Sequence, residues 1–550
     1  MQAIEHGGAR RLFRRGTGLA AAAVLTLPLF AFTQVRLDST NLPLVMIDTG
    51  GRTVLFGQKI PGRMKIVNRG PGLMNRPSDA ADGYDGAVGI EIRGHFSSTF
   101  PQKPYDVETR DEAGDNRNVP LLGMPAENDW ILLSNYNDKS FLRNWIAFDL
   151  YRRMGHYAPR AVLCEVLLNS AYRGIYVFTE KIKRDKRRVD IAELLPDETG
   201  GEALTGGYIF KVDYHEPSNS WMSDFPPLNY PDRRVYYVYV YPKPEEITAD
   251  QGNYLRRFVA DAEDAVYGGG FADPETGYRK YLDVPSFIDY FILSETSRNT
   301  DAYKKSRFFY KDRDSRDGLL HAGPPWDFDW AWKNIRECVY SATDGSGWSF
   351  LTNDCTPDNS APDWHLCLLQ DGRFTESVIE RYRELRSGPL DPDRIAAAVD
   401  SMAALLSAAQ DRHFRMWPIS GPNPAPEVER ASRSYGEEIG RLKNWIRIRI
   451  AWLDAHITDL RGWVLDGVDA GSGGRAPQSA ARLYPNPASS RLMIAADRPV
   501  RRARLFDLLG RRVYDSGDAS GGRVQTVPVR GLASGIYFVV LTLEDGRTVV

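Results

Sequence analysis

The residues of this 550-residue chain best suited to chemistry are three aspartates: Asp301 in Thr300-Asp301-Ala302-Tyr303, and Asp327 and Asp329 in Pro325-Trp326-Asp327-Phe328-Asp329. Between them, residues 306–311 (Ser-Arg-Phe-Phe-Tyr-Lys) read as a strand, 312–318 as a charged turn closed by Gly318, and 319–322 as the returning strand. Such a hairpin folds Asp301 and Asp327 back side by side. Carboxylates converging from opposite strand ends suit a divalent cation plus a proton acceptor, the arrangement that phosphoryl transfer requires. A lone turn aspartate is ordinarily just solvated. Asp327 and Asp329, however, stand in an apolar, Trp-rich run where an unpaired carboxylate is costly.

The elements that must position these groups are readable on either side. A helix opening at Asp283, with Pro285 in its first turn and Phe287, Ile288, Phe291 and Ile292 on its buried face, delivers the chain into Arg298-Asn299-Thr300-Asp301. Upstream, residues 44–48, 88–93 and 105–109 are strand-like, and Gly94-His95-Phe96-Ser97-Ser98-Thr99 lies between the last two. A Gly/Ser turn there can offer N–H and hydroxyl groups to phosphates, or serve only as a turn. Lys103 starts the next strand and is placed to reach the same anion. A helix is predicted over 139–154 with Phe141, Leu142, Trp145, Ile146 and Leu150 on one face, leaving Arg143 and Asn144 off that stripe. A hairpin over 161–168 and 172–178 leads into Thr179-Glu180-Lys181, so Glu180 sits at a strand end, where a charge can face a cleft. Further strands are expected at 206–213 and 235–241, a helix at 249–267, and mostly helix over 373–460, without a catalytic cluster.

The chain is long enough for two to four domains, its net charge is −2, and its basic residues are spread along it. Nothing in that balance argues for a nucleic-acid surface, and the run 181–188 lacks interleaved aromatics. Aromatic content of 11% admits carbohydrate binding, although aromatics ordinarily serve the core. Arg10, Arg11, Arg14 and Arg15 precede an apolar run over 19–32, the pattern of a secretory signal over residues 1–33. No other stretch is long and apolar enough to span a membrane, so a mature protein without a transmembrane helix, secreted or at the cell surface, is expected. In an oxidising compartment Cys338 and Cys355 can form a disulfide, whereas Cys164 reads as a buried thiol in a strand. Residues 467–481 form a Gly/Ser/Ala linker, and 482–550 alternate strand and turn like a small β-sandwich.

In chain order these blocks resemble the spore-coat protein H (CotH) kinase family. The resemblance rests on Arg93-Gly94-His95-Phe96-Ser97-Ser98-Thr99 with Phe100-Pro101-Gln102-Lys103-Pro104-Tyr105, and on Leu121-Leu122-Gly123-Met124-Pro125 through Asn128-Asp129-Trp130. It continues through Leu142-Arg143-Asn144, Tyr176-Val177-Phe178-Thr179-Glu180-Lys181-Ile182, Asn299-Thr300-Asp301-Ala302-Tyr303 and His321-Ala322-Gly323-Pro324-Pro325-Trp326-Asp327-Phe328-Asp329. It implies an α+β, two-lobed atypical kinase-like domain over 42–460 that uses ATP with Mg²⁺ or Mn²⁺ on Ser/Thr-type hydroxyls of a protein substrate on or near the cell surface. By the same resemblance Asp301 is the catalytic base and Asp327, assisted by Asp329, the metal ligand. Lys103, Glu180 and Arg143 fall on the nucleotide. The chain departs from the family pattern at His95 (usually Asn) and Gln102 (usually Lys), and Ser306 stands where a classical kinase places a metal-binding Asn. A catalytically inactive pseudokinase serving as a surface binding or structural module is the alternative. Leu483-Tyr484-Pro485-Asn486-Pro487 and Gly535-Ile536-Tyr537-Phe538-Val539 resemble a type A sorting domain of the type IX secretion system, which makes that machinery an expected partner.

Overall fold

The computed structural model describes residues 35–464 except 229, together with 481–484, 491–507, 511–517, 522–532 and 537–549. The signal segment 1–33, nearly all of the linker, and the Pro485-Asn486-Pro487 and Gly535-Ile536 motifs lie outside the described residues. The fold is α+β, as expected.

The first strands are β1 (Leu44–Asp48), β2 (Ile60–Val67), β3 (Tyr84–Ile92), β4 (Tyr105–Thr109), the small hairpin β5 (Val119–Leu121) and β6 (Met124–Glu127), then β7 (Asp129–Ser134), β8 (Ala161–Leu168) and β9 (Ala171–Glu180). All but β5 and β6 close into a barrel of order β1-β2-β3-β4-β7-β9-β8, in which β8 returns parallel to β1. Period-two alternation fills the interior: Val45 and Ile47, Met64 and Ile66, Val88 and Ile90, Trp130 and Leu132, Tyr176 and Phe178 all point inward, with the Cys164 thiol among them. On β7, β8 and β9 the alternate residues are buried as well, because Ile131, Leu133, Leu163, Ile175 and Val177 join a second core with the helices. Strands buried on both faces read as continuous apolar runs, whereas β2 alternates more with less buried positions over Ile60 to Ile66.

That second core holds a five-stranded antiparallel sheet built from β10 (Tyr208–Val212), β11 (Ser220–Met222), β12 (Tyr236–Tyr241), β13 (Arg307–Lys311) and β14 (Leu320–Ala322), in the order β11-β12-β10-β13-β14. Around it lie α1 (Arg143–Arg153), the single turn α2 (Gly201–Leu204), α3 (Ala249–Tyr267), α4 (Val284–Ser297), α5 (Trp364–Leu368), α6 (Gly372–Arg386), α7 (Pro392–Leu405), α8 (Ser407–Met416) and α9 (Tyr435–His456). Thr248 and Gln251 form a capping box for α3, and Asp283 caps α4 with Pro285 in its first turn. The helix predicted from 139 begins instead at Arg143. The Asp138 carboxylate collects the N–H groups of Ser140 and Arg143, and Phe141 takes φ +67°, so residues 138–142 form a tight lead-in.

Among the described C-terminal residues, β15 (Ala481–Tyr484), β16 (Arg491–Asp507), β17 (Arg512–Asp515), β18 (Gly522–Pro528), β19 (Tyr537–Leu543) and β20 (Thr548–Val549) form one hydrogen-bonded set. The stretches around 492–494 and 503–506 belong to a single 17-residue strand, β16. Its first half pairs with β15 and β18, and its second with β17 and β19. Cys338 and Cys355 are disulfide-bonded. No helix among the described residues is long and apolar enough to cross a membrane.

Candidate active site

Helix α4 is almost wholly buried and ends on Arg298, which turns the chain at φ +44°. The Arg298 guanidinium donates to Asn334 Oδ1 and to the carbonyls of Tyr340, Ala342 and Ser346, and it lies over the Trp445 ring. Entry to the aspartate loop is therefore rigidly held. Asp301 follows, with its carbonyl accepting the N–H groups of Lys304 and Lys305 at 3.0 and 2.9 Å. Asn299 clasps both ends of the hairpin, because its Oδ1 accepts from the Asp301 N–H and its Nδ2 donates to the Asp327 carbonyl. Strands β13 and β14 pair with Phe309 opposite Ala322, and Ser306 Oγ donates to Asp327 Oδ2 at 2.7 Å. Asp327 itself adopts φ +57°, a conformation Asp tolerates better than most residues. The off-stripe Asn144 accepts from the Phe328 N–H at 2.7 Å, and Asn137 Nδ2 donates to Asp329 Oδ2 at 2.7 Å.

The three carboxyls share an unfavourable environment. Burial pushes Asp301 above the usual carboxylate range against the opposing pull of Lys305 and Lys304, whose ammoniums lie 3.7 and 3.9 Å away. Its side chain keeps 22% exposure, so solvent reaches it. Asp327 is raised by burial, with Arg93 and the Ser306 hydroxyl pulling the other way. Asp329 is pushed up to about 7 by burial and by the charge of Asp327, despite its bond from Asn137. Two adjacent acids without a cation in contact are what a divalent ion would relieve. Among the described residues no group of three or more His, Cys, Asp or Glu forms a self-sufficient metal cage. The donor set fits an ion such as Mg²⁺, which takes one or two carboxylates and fills its remaining positions with water and phosphate oxygens.

The residues expected on the nucleotide are placed differently from one another. Lys103 Nζ donates to the Ser98 carbonyl at 2.8 Å, so it is folded onto the Gly/Ser turn. Glu180 is fully buried and accepts from the Arg160 N–H, Arg160 Nη1 and the Tyr157 hydroxyl. No ion pair joins Lys103 to Glu180. Arg143 is buried between Asp138 and Glu438 and donates to the Ala331 carbonyl, two residues past Asp329, so it braces the metal-side loop from beneath. Gln102, 1% exposed, ties β7 to β9 by accepting from the Asn135 N–H and donating to the Arg173 and Ile175 carbonyls. A lysine in that slot would be buried without a carboxylate. The His95 ring packs at a tilt against Tyr214, centroids 4.3 Å apart, and Tyr214 in turn lies against the Lys305 ammonium, which links the Gly/Ser turn to the residues just after Asp301.

Several neighbours of the site escaped the sequence reading. Arg93 lies over Trp326 at 5.4 Å and acts electrostatically on Asp327, and among the described residues no hydrogen bond or ion pair engages its guanidinium. Lys211 and Asp213 pair at 2.5 Å where β10 ends, and both charges are felt at Asp327. The signals were present in Arg93 heading the Gly/Ser turn, in alternating charges at a strand end, and in Lys304-Lys305 directly after the aspartate loop.

Fold and geometry thus define an α+β protein with three half-buried aspartates gathered where a helix, a hairpin and the loop after it meet. Residues 90–453, well over half of the chain, match the CotH kinase protein family, and the protein belongs to that family. Family membership implies ATP use. Residues 482–550 match the secretion system C-terminal sorting domain, which makes this a secreted or cell-surface protein and implies the type IX secretion machinery as a partner. Among curated proteins none matches the chain.

Proposed function

We propose that this protein is a secreted or surface-attached phosphotransferase that moves the γ-phosphate of ATP to Ser/Thr-type hydroxyls of a protein substrate. The observation that carries this reading is the convergence of Asp301, Asp327 and Asp329 on one loop junction, with Asp327 and Asp329 short of positive partners. Asp301, tethered through its backbone and open to solvent, would orient an acceptor hydroxyl and take its proton. Asp327 and Asp329 would hold Mg²⁺ or Mn²⁺, whose chemistry when bound is to offset charge on phosphate oxygens. Arg93 offers an unengaged guanidinium to the same phosphates, and Lys103 with the Gly/Ser turn stands beside it. In this reading the barrel and the helix-covered sheet act as the two lobes of a kinase-like domain, followed by a C-terminal β-sandwich that serves export after a signal peptide.

One observation favours a second reading, a pseudokinase acting as a surface binding module. Glu180 and Arg143 are both spent on internal ion pairs, with Arg160 and with Asp138 and Glu438. Incubating the protein with labelled ATP, Mg²⁺ or Mn²⁺ and a mixed protein acceptor separates the two. Label transfer that disappears in Asp301→Ala and Asp327→Ala supports catalysis, and transfer surviving equally in both removes the assigned roles. Thermal stabilisation by nucleotide without transfer supports the pseudokinase.

A further inference from the structure

The disulfide-closed segment 338–355 takes no part in that scheme, yet its two ends deliver carboxylates to the lysines beside Asp301. Glu337, directly before Cys338, places Oε1 3.2 Å from Lys304 Nζ. Asp358, just beyond Cys355, places Oδ2 2.7 Å from Lys305 Nζ and Oδ1 3.6 Å from Lys304 Nζ. The segment is seated on the same support as the aspartate loop. Arg298 binds its carbonyls at Tyr340, Ala342 and Ser346, while Glu295 accepts from the Ser349 and Phe350 N–H groups at 2.8 Å. Tyr214 completes the arrangement: its hydroxyl donates to Asp358 at 2.7 Å, and Lys305 Nζ lies 4.7 Å from its ring centre.

The distances rank the partners of Lys305. At 2.7 Å it is hydrogen-bonded to Asp358, and at 3.7 Å it is beyond such a bond with Asp301. Asp301 is therefore in long ion pairs with both ammoniums and in hydrogen-bond range of neither, unlike Glu180 with Arg160 at 2.8 Å. Without Asp358, the ammonium has one carboxylate left to close on. We propose that Glu337 and Asp358, presented by the disulfide-closed loop, are positioning residues that hold Lys304 and Lys305 beside Asp301 but off it. The role of Asp301 as proton acceptor comes from the phosphotransferase reading, whereas the arrangement itself can be tested without turnover.

The test combines carbodiimide-driven coupling of glycinamide to Asp301, read by peptide mass spectrometry at mildly acid pH, with steady-state phosphotransfer. In Asp358→Asn, closure of Lys305 onto Asp301 lowers the protonated fraction, and coupling slows about tenfold per unit of pKa. The Cys338→Ser, Cys355→Ser protein shifts the same way by a smaller factor. In transfer, Asp358→Asn loses about tenfold in kcat with KM for ATP unchanged. Replacing Lys305 as well, in Asp358→Asn with Lys305→Met, restores coupling and part of kcat, which a merely destabilised protein would not do. Coupling at the wild-type rate in Asp358→Asn and in the disulfide variant overturns the proposal. A wild-type protein that transfers nothing overturns the phosphotransferase reading instead, and the coupling rates then decide this one alone.

Discussion

The acids at the entrance to α1 and the acids after the β13–β14 hairpin are both taken out of bulk water, and they end in opposite states. Burial drives Asp138 upward, yet the charges of Arg143 and Lys333 outweigh it and hold the carboxyl below its ordinary range. Asp329 is half-buried, with the charge of Asp327 beside it and only the amide of Asn137 as a direct donor, and it is pushed up to about 7. The difference lies in the company each keeps. A carboxylate with its own guanidinium is a structural joint, whereas a carboxylate pair left without a cation costs stability unless a ligand supplies the charge.

That contrast can be broken at several points. The largest effect is expected from Asp301→Asn, which keeps the shape and removes the proton acceptor. Phosphotransfer should fall about 10²–10⁴-fold in a labelled-ATP assay while the unfolding midpoint stays put. Arg143→Ala attacks the structural joint and strands Asp138 and Glu438, both buried. It should cost about 3–5 kcal/mol in urea unfolding, a loss that nucleotide does not specifically repair. Adding Mg²⁺ or Mn²⁺ should raise the melting temperature of the wild type, by the equivalent of about 2.7 kcal/mol at a hundred times Kd, and should not raise that of Asp327→Asn with Asp329→Asn. Equal stabilisation of both proteins would remove these aspartates from the metal site.

The smallest effect sharpens the comparison from a third acid. Glu263 in α3 is raised to about 7 by burial, although the Tyr237 and Ser223 hydroxyls and the Trp364 indole N–H all donate to it. Neutral donors alone thus leave this buried acid raised, whereas the two cations near Asp138 bring that carboxyl down. Its folded pKa lies above the unfolded value, so the folded state binds the extra proton between the two. Stability should therefore fall as pH rises from about 4.5 towards 7. Glu263→Gln should flatten that slope in denaturation curves taken across the range, and an unchanged slope would mean that the carboxyl is already ionised.

Local rules carried much of the reading. Asp283 and Pro285 announced α4, the period of α3 matched its buried stripe, and the charged turn 312–318 closed by Gly318 between two strand-like runs marked the hairpin. Asp327 and Asp329 stood out because acids are out of place in an apolar, Trp-rich run. The barrel did not stand out, because its closure depends on β1 meeting β8 far along the chain, and pairing at that range leaves no local pattern. Strand β16 carries Pro499 in its interior, and the ladder absorbs that proline at an irregularity between Ala495 and Val500.

The sequence by itself determined which groups were out of place, since the cost of an acid in apolar surroundings is written in its neighbours along the chain. It also determined the class of protein and its destination outside the cell, because those rest on ordered motifs. Only the tertiary structure decided which charges are spent. Arg143 meets Glu438 across 295 positions, Glu180 meets Arg160 across a barrel edge, and Lys305 meets Asp358 at the foot of a disulfide loop. Whether a charged side chain is a structural joint or an open site depends on a partner a few ångströms away, and chain folding alone supplies that partner.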